Sequence, residues 1–327
     1  MMAAVHVVWM MLLLLASLIG WLPSATAAAA EEAAPLWQQD VFWISFWNGP
    51  EVPVAELDGR FAELAEANFT GFLGNAGTKA FSATPARVGA EIALCKKHGL
   101  RCVPHLCEVE CCSPLPPSVP PGSTCLELGR EDPNFWGFQL LDEPFDFAQV
   151  GNWTRQLESV RPDALRFINL VGAGDWEFFK NTDDYANFVA SFVSAVRPQV
   201  ISMDFYPAFS IKQPSFDAPP CGARDCRESK DLYGASLGVL RQAAESSPGG
   251  PIPFWNFFNA FPYNNAHGDP SEAMMRWQAT TSLAYGASGV MYWCYWFCYG
   301  SLGGGLIVPR VSHPPDRPCV CWLWLFT

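Results

Sequence analysis

Two adjacent carboxylates, Asp142 and Glu143, end the stretch PNFWGFQLLDEP over 133–144, and a third, Asp204, stands near the end of VISMDFYP over 200–207. Carboxyl groups held in different environments can divide into a proton donor and a base or nucleophile, the division on which acid/base bond cleavage depends. Each of these residues closes a run rich in aromatic and branched side chains, which reads as a β-strand. Pro144 then prevents the first ladder from continuing. Alternation puts Gly137, Gln139, Leu141 and Glu143 on one face of that strand and Trp136, Phe138, Leu140 and Asp142 on the other. In the second strand Ser202, Asp204 and Tyr206 share a face. The expectation is that Glu143 and Asp204 flank one cavity, with Asp142 as the next candidate acid. A carboxyl separation of ~5 Å would suit a direct nucleophile, and ~6.5–9.5 Å would leave room for a water.

Groups that could hold a substrate fall at the ends of other strand-like runs. Asn169 closes 165–171, Trp47 closes 41–47, and Trp293 and Trp296 close 289–296. Trp255 and Asn256 lie in 252–258, and Tyr206 follows Asp204. Flat indole rings stack on the apolar faces of sugars. Fourteen tryptophans are many for 327 residues, and most must serve the core.

The elements that would position these groups alternate along the chain. Strands are expected at 41–47, 70–73, 100–106, within 133–144 around Trp136, and at 165–171, 200–206, 252–258 and 289–296. Helices are expected at 54–68, 85–98, 147–160, 183–196, 230–244 and 270–285, the second of them stopped by Gly99. A loop rich in Pro and Cys, 108–129, takes the place of a helix and would lie at the mouth. Eight strands with intervening helices define an α/β fold, the (β/α)₈ TIM barrel, over 41–299. The tail, 300–327, with its Gly303-Gly304-Gly305 run and many prolines, shows no amphipathic pattern, so a regular eighth helix is missing.

Composition narrows the partners. A formal charge of -12 and a pI near 4.8 argue against a phosphate backbone as ligand, so no nucleic acid partner is expected. Residues 1–27 read as a secretory signal peptide, with an apolar run over 7–22 before Ala25-Thr26-Ala27, and 28–40 as a lead-in. An uncleaved membrane anchor is the alternative, though the run is shorter than the ~20 residues of a span; without one, no stable membrane association is expected. Either places the rest in an oxidising compartment. Twelve cysteines suit that setting, with Cys102, Cys107, Cys111, Cys112 and Cys125 crowded together and Cys221/Cys226 and Cys294/Cys298 as local pairs. His105 near Cys107, Cys111 and Cys112 offers zinc as a rival, but no Cys-x-x-Cys pair supports it, and neither metal nor cofactor is expected. Asn68 and Asn152 open N-glycosylation sequons.

Taken together, FWGFQLLDEP (135–144), FINL (167–170), ISMDFYP (201–207), PFW (253–255) and LAYGASGVMYW (283–293) resemble a group of secreted glycoside-hydrolase-like TIM barrels, similar to the β-galactosidase clan of retaining glycosidases. The resemblance spans about 41–296. It implies a carbohydrate substrate and an acid/base Glu at the end of the fourth strand, which Glu143 matches, with Asp142 where the clan has Asn. It also implies a nucleophilic Glu at the end of the seventh strand. None stands in IPFWNFFN over 252–259, and Asp204 is the substitute. Two function classes follow: a glycosidase in which Glu143 protonates the leaving oxygen and Asp204 acts as base or nucleophile, or a barrel that binds glycans without cleaving them.

Overall fold

The computed structural model describes residues 37–74, 83–107, 123–173, 179, 181–208, 226–260 and 270–295. Contacts divide the chain into Met1–Pro35 and Leu36–Thr327, and the second unit carries everything below. Its strands are β1 (Trp43–Phe46), β2 (Gly71–Leu73), β3 (Arg101–Val103), β4 (Gly137–Asp142), β5 (Leu165–Val171), β6 (Ile201–Asp204), β7 (Phe254–Asn259) and β8 (Gly289–Trp293). Between them run α1 (Leu57–Glu66), α2 (Pro85–His98), the single turn α3 (Thr124–Glu127), α4 (Phe147–Val160), α5 (Thr182–Val196), α6 (Cys226–Glu245) and α7 (Glu272–Ala284).

All strand pairings among the described residues are parallel, and they run in ring order. Strands β4 to β8 pair in sequence, β8 pairs β1, and β2 pairs β3. Between β1 and β2 the link is Thr70, whose N–H donates to the Ile44 carbonyl at 3.1 Å. Between β3 and β4 it is two isolated bridges, Cys102 with Phe135 and His105 with Gln139. The expected (β/α)₈ barrel is therefore the observed one. A parallel ring needs crossovers on its outside, and the helices supply them.

Local chemistry fixes where these crossovers start. Helix α2 opens on Thr84, whose hydroxyl accepts from the Arg87 N–H at 3.3 Å, and closes on Gly99 in the left-handed conformation at φ 71°. Asp146, Asn181 and Ser271 cap α4, α5 and α7 in the same way. The short α3 is tied to the barrel by Arg161, which is fully buried and donates to the Leu126 and Leu128 carbonyls and to Asp163.

The floor of the barrel is aromatic. Trp43 stacks on Trp136 at 5.0 Å and on Trp255 at 4.9 Å, and Trp255 stacks on Phe167 at 5.4 Å. Such offset rings fill a wide cross-section without buried polar atoms on their faces. Space for them comes from Gly71, where a side chain would run into the Trp43 ring, and Gly289, where one would run into the Trp255 ring and the Trp43 Cβ. Trp255 is thus a floor residue with no exposed surface, not a binding residue at the mouth.

Candidate active site

Strand β4 does not keep its alternation. Its register with β5 runs Gln139 to Phe167, then Leu141 to Ile168 and Asp142 to Asn169, so one extra residue is inserted between Gln139 and Leu141. A bulge of this kind reverses which face the following side chains take. Gln139 and Asp142 therefore both share the inner face with Phe167 and Asn169, and Leu141 goes with outward Ile168. The sequence expectation that Asp142 lies on the face opposite Glu143 is corrected by this insertion. Glu143 follows in the left-handed region at φ 45°, its N–H bonded to the Asn169 carbonyl at 2.9 Å. That turn brings its side chain back to the same end of the barrel.

The three carboxyl groups meet there. One amide holds two of them: Asn169 Nδ2 donates to Asp142 at 3.1 Å and to Asp204 at 3.0 Å, while its Oδ1 accepts from the Ser202 hydroxyl at 2.8 Å. Buried, with both its N–H groups committed, Asn169 positions the carboxylates and has no donor left for a substrate. Glu143 and Asp142 both act on Asp204 from close by, and both favour its protonated form.

Asp204 is the carboxyl group whose surroundings favour the protonated form. It is half-buried by exposed area yet ringed by protein, and desolvation is the largest cause pushing its pKa well above the ordinary carboxylate value. The charges of Glu143 and Asp142 push it the same way, and the Asn169 bond opposes them. Glu143 is the exposed member of the pair.

Across the mouth stands an aromatic wall. Trp293 packs against Tyr206 at 5.7 Å and Trp47 at 6.3 Å, and Trp47 meets Phe257 at 5.7 Å. Trp47, Tyr206 and Trp293 thus gather where the sequence expected them. The loop after Trp47 is pinned by buried Arg87, which donates to the Pro50 and Val52 carbonyls and to Glu91. Trp296 and residues 108–122 lie outside the described residues, so the position of the Pro- and Cys-rich loop stays an expectation.

Asn256 departs from its expected role. It points outward, where its Nδ2 donates to the hydroxyls of Tyr233 at 2.7 Å and Ser282 at 3.1 Å, clamping β7 to α6 and α7. Alternation from inward Trp255 and Phe257 instead carries Asn259 to the inner face at the end of β7, in register with Trp293. Asn259 is fully buried and neither atom of its side-chain amide has a partner. Gln139, Ser45 and His105 Nε2 are likewise buried without partners, lining the interior below the carboxylates. Sequence reading passed over Gln139 and Asn259 as site residues, although counting by two from Trp255 reaches Asn259 directly. Among the described residues no group of three or more His, Cys, Asp or Glu is arranged to hold a metal ion.

Fold and site together define a (β/α)₈ barrel with carboxyl groups clustered at the C-terminal ends of its strands, where enzymes of this fold place their chemistry. No protein-family model and no curated protein matches the chain. Among solved structures, it is similar to a protein of Bacteroides thetaiotaomicron assigned as an alpha-L-fucosidase, with a TM-score of 0.51 and 9% identity over 81% of this chain and 91% of that one. An exo-beta-1,4-mannosidase from an Opitutaceae bacterium gives 0.46 and 16% identity, covering 79% of this chain and 54% of the other. The GH5_18 protein of Bifidobacterium longum gives 0.47 and 14%, covering 77% and 69%. At such identities the likeness is one of fold, and glycoside hydrolases with this barrel are among its neighbours.

Proposed function

We propose that this chain is a secreted glycoside hydrolase that cleaves an O-glycosidic bond with a proton shared by Glu143 and Asp204. The observation that carries the reading is the gathering of Asp142 and Asp204 on one Asn169 amide at the C-terminal ends of β4 and β6, with Glu143 beside them and the proton affinity of Asp204 raised by burial and by its acidic neighbours. As a glycosidic oxygen approaches, the shared proton moves to Glu143 and from its exposed oxygen to the leaving group, and Asp204 becomes the carboxylate that stabilises positive charge on the sugar. Asp142, fixed by Asn169, adds to that negative field. Trp47, Tyr206 and Trp293 offer the faces on which a ring can stack. Secretion rests on the apolar segment over 7–22 and the cysteine content.

A second reading, glycan binding without cleavage, is favoured by one observation: the end of β7 carries Asn259 where the retaining clan has a nucleophilic Glu. Protein from a secreting eukaryotic host, screened against α- and β-linked aryl glycosides and oligosaccharides, separates the two. Turnover is expected, and Glu143→Gln should lower it by about 10²–10⁴-fold while leaving glycan affinity nearly intact. Glycan binding with no turnover in the screen would establish the second reading, and turnover that survives Glu143→Gln on a poor leaving group would move the acid to Asp142.

A further inference from the structure

The triplets Asn68-Phe69-Thr70 and Asn152-Trp153-Thr154 take no part in the carboxylate site. Asn68 follows Ala67, the cap of α1, and lies in the left-handed region at φ 60°. Its N–H donates to the Ala65 carbonyl and the Phe69 N–H to the Leu64 carbonyl, both at 3.1 Å, the paired bonds of a Schellman stop. Asparagine tolerates that backbone better than most residues, and here its side chain is exposed. Phe69, next in the chain, is buried against Phe46 and Tyr292. Thr70 then joins β1 to β2: its hydroxyl donates to the Phe42 carbonyl and accepts from the Ile44 N–H, each at 2.7 Å.

The second triplet repeats this division on a helix. Asn152, on the second turn of α4, is exposed, whereas Trp153 is 1% exposed. Thr154 is 2% exposed and donates its hydroxyl to the Gly151 carbonyl at 3.1 Å. In each triplet the asparagine is therefore the exposed member, and the threonine hydroxyl is used by the fold. Both amides also stand clear of the carboxylates. Asn68 leads into the start of β2, at the end of the barrel opposite the mouth, and Asn152 lies on the outer flank of α4. A bulky, hydrated group on either would extend into solvent.

We infer that Asn68 and Asn152 are both N-glycosylated, and that sugar transfer to them precedes closure of the barrel. The inference rests on the secretion reading, because the donor, an oligosaccharide carried on a lipid pyrophosphate, is supplied in the lumen of the secretory pathway. In the transfer, the asparagine amide nitrogen bonds to the anomeric carbon of the donor. The bond from that carbon to the pyrophosphate oxygen breaks, the lipid pyrophosphate leaves with the electron pair, and one amide proton passes to solvent. An enzyme that reads Asn-x-Thr must engage the threonine as well as the amide. In the finished fold the Thr70 hydroxyl is held by two bonds of 2.7 Å, and Thr154 is buried. Freeing Thr70 would open the link between β1 and β2, and freeing Thr154 would lift α4 from its packing. Transfer therefore comes first and ring closure second.

The test uses the full chain expressed in a secreting eukaryotic host. Treatment with a peptide N-glycosidase converts each modified asparagine to aspartate, and peptide mass mapping should find that change at both Asn68 and Asn152. Asn68→Gln and Asn152→Gln should each remove one glycan from the intact protein. Secreted protein with either asparagine bare overturns the inference and leaves secretion standing. Protein confined to the cytosol and bare at both positions removes the secretion reading and the inference with it. Pulse labelling reads the order of events: both glycans should be present on chains still open to protease. Their addition only after the chain has become protease-resistant overturns the order, because the two threonines would then have been accessible in the closed barrel.

Discussion

At the scale of single residues the site sets a pH dependence with two opposing slopes. Asp204 has its folded pKa raised, so the native state holds a proton that the unfolded chain releases. Its stabilising share is full below the ordinary carboxylate pKa and is lost as pH rises through the folded value. His105 works the other way: burial depresses its pKa to about 4, and its Nδ1 donates to the Leu106 carbonyl at 2.9 Å. Its neutral form is native, so the unfolded chain gains protons first as pH falls, and about 3 kcal/mol of stability is lost between roughly pH 6.5 and 4. Urea midpoints measured across this range should show Asp204→Asn flattening the decline above pH 4, and His105→Gln flattening the acid limb. Unchanged limbs in both variants would mean that neither group is buried as described. The residue types at the mouth were readable from strand ends alone, because Glu143, Asp204, Tyr206 and Trp47 sit where ladders stop. Their hydrogen bonding was not, since Asn169 joins Asp142 to Asp204 from a third strand.

At the scale of elements, what the sequence concealed was parity. In FQLLDE, over 138–143, Leu140 and Leu141 are equally apolar, so nothing in the pattern marks an inserted residue. The bulge costs one ladder position and gains an inner face ending in Asp142. In β7 the polar Asn256 reads from the sequence as a mouth residue, yet outward positions can be polar when helices offer partners, as Tyr233 and Ser282 do. Helix ends were legible because their caps are local chemistry, as at Thr84 and Gly99. Two glycines separate local from tertiary demands. Gly59 lies on the exposed face of α1 with nothing near a prospective side chain, so Gly59→Ala should gain about 0.5–1 kcal/mol. Gly71 faces the Trp43 ring in the barrel floor, and Gly71→Ala should cost about 1–3 kcal/mol or more through overpacking. Chemical denaturation of both variants checks the pair, and equal effects would contradict the stacked floor.

At the scale of the whole molecule the ring was legible because it is a count of repeating units, which survives errors of a residue or two at any boundary. Ring order follows, since each strand needs a parallel neighbour and a crossover to reach it. Covalent restraint was legible only as a tendency. The sequence offered twelve cysteines, with Cys221/Cys226 and Cys294/Cys298 as local pairs and no partner for Cys107; the fold brings Cys107, just past β3, against Cys125 in α3, with Cα atoms 6.0 Å apart, the spacing of a disulfide. Cys95 on α2 and Cys102 on β3 are buried beside one another as thiols, and desolvation raises the pKa of each, which suppresses the reactive thiolate.

These two pairs should therefore answer alkylation differently. In the folded, unreduced protein Cys95 and Cys102 should resist a thiol reagent because they are buried, and they should react once the chain is unfolded in denaturant without reductant. Cys107 and Cys125 should react only after reduction, and peptide mapping of unreduced protein should recover them joined. The bond closes a loop of 18 residues, so by chain entropy it is expected to contribute about 3 kcal/mol. Cys107→Ser with Cys125→Ser should lower the urea midpoint correspondingly while leaving the carboxyl cluster on β4 and β6 in place. Alkylation of Cys107 and Cys125 in unreduced, denatured protein would rule the bond out, and a double variant as stable as the parent would show that packing at this edge of the barrel, with Arg161 holding the Leu126 and Leu128 carbonyls, fixes α3 unaided.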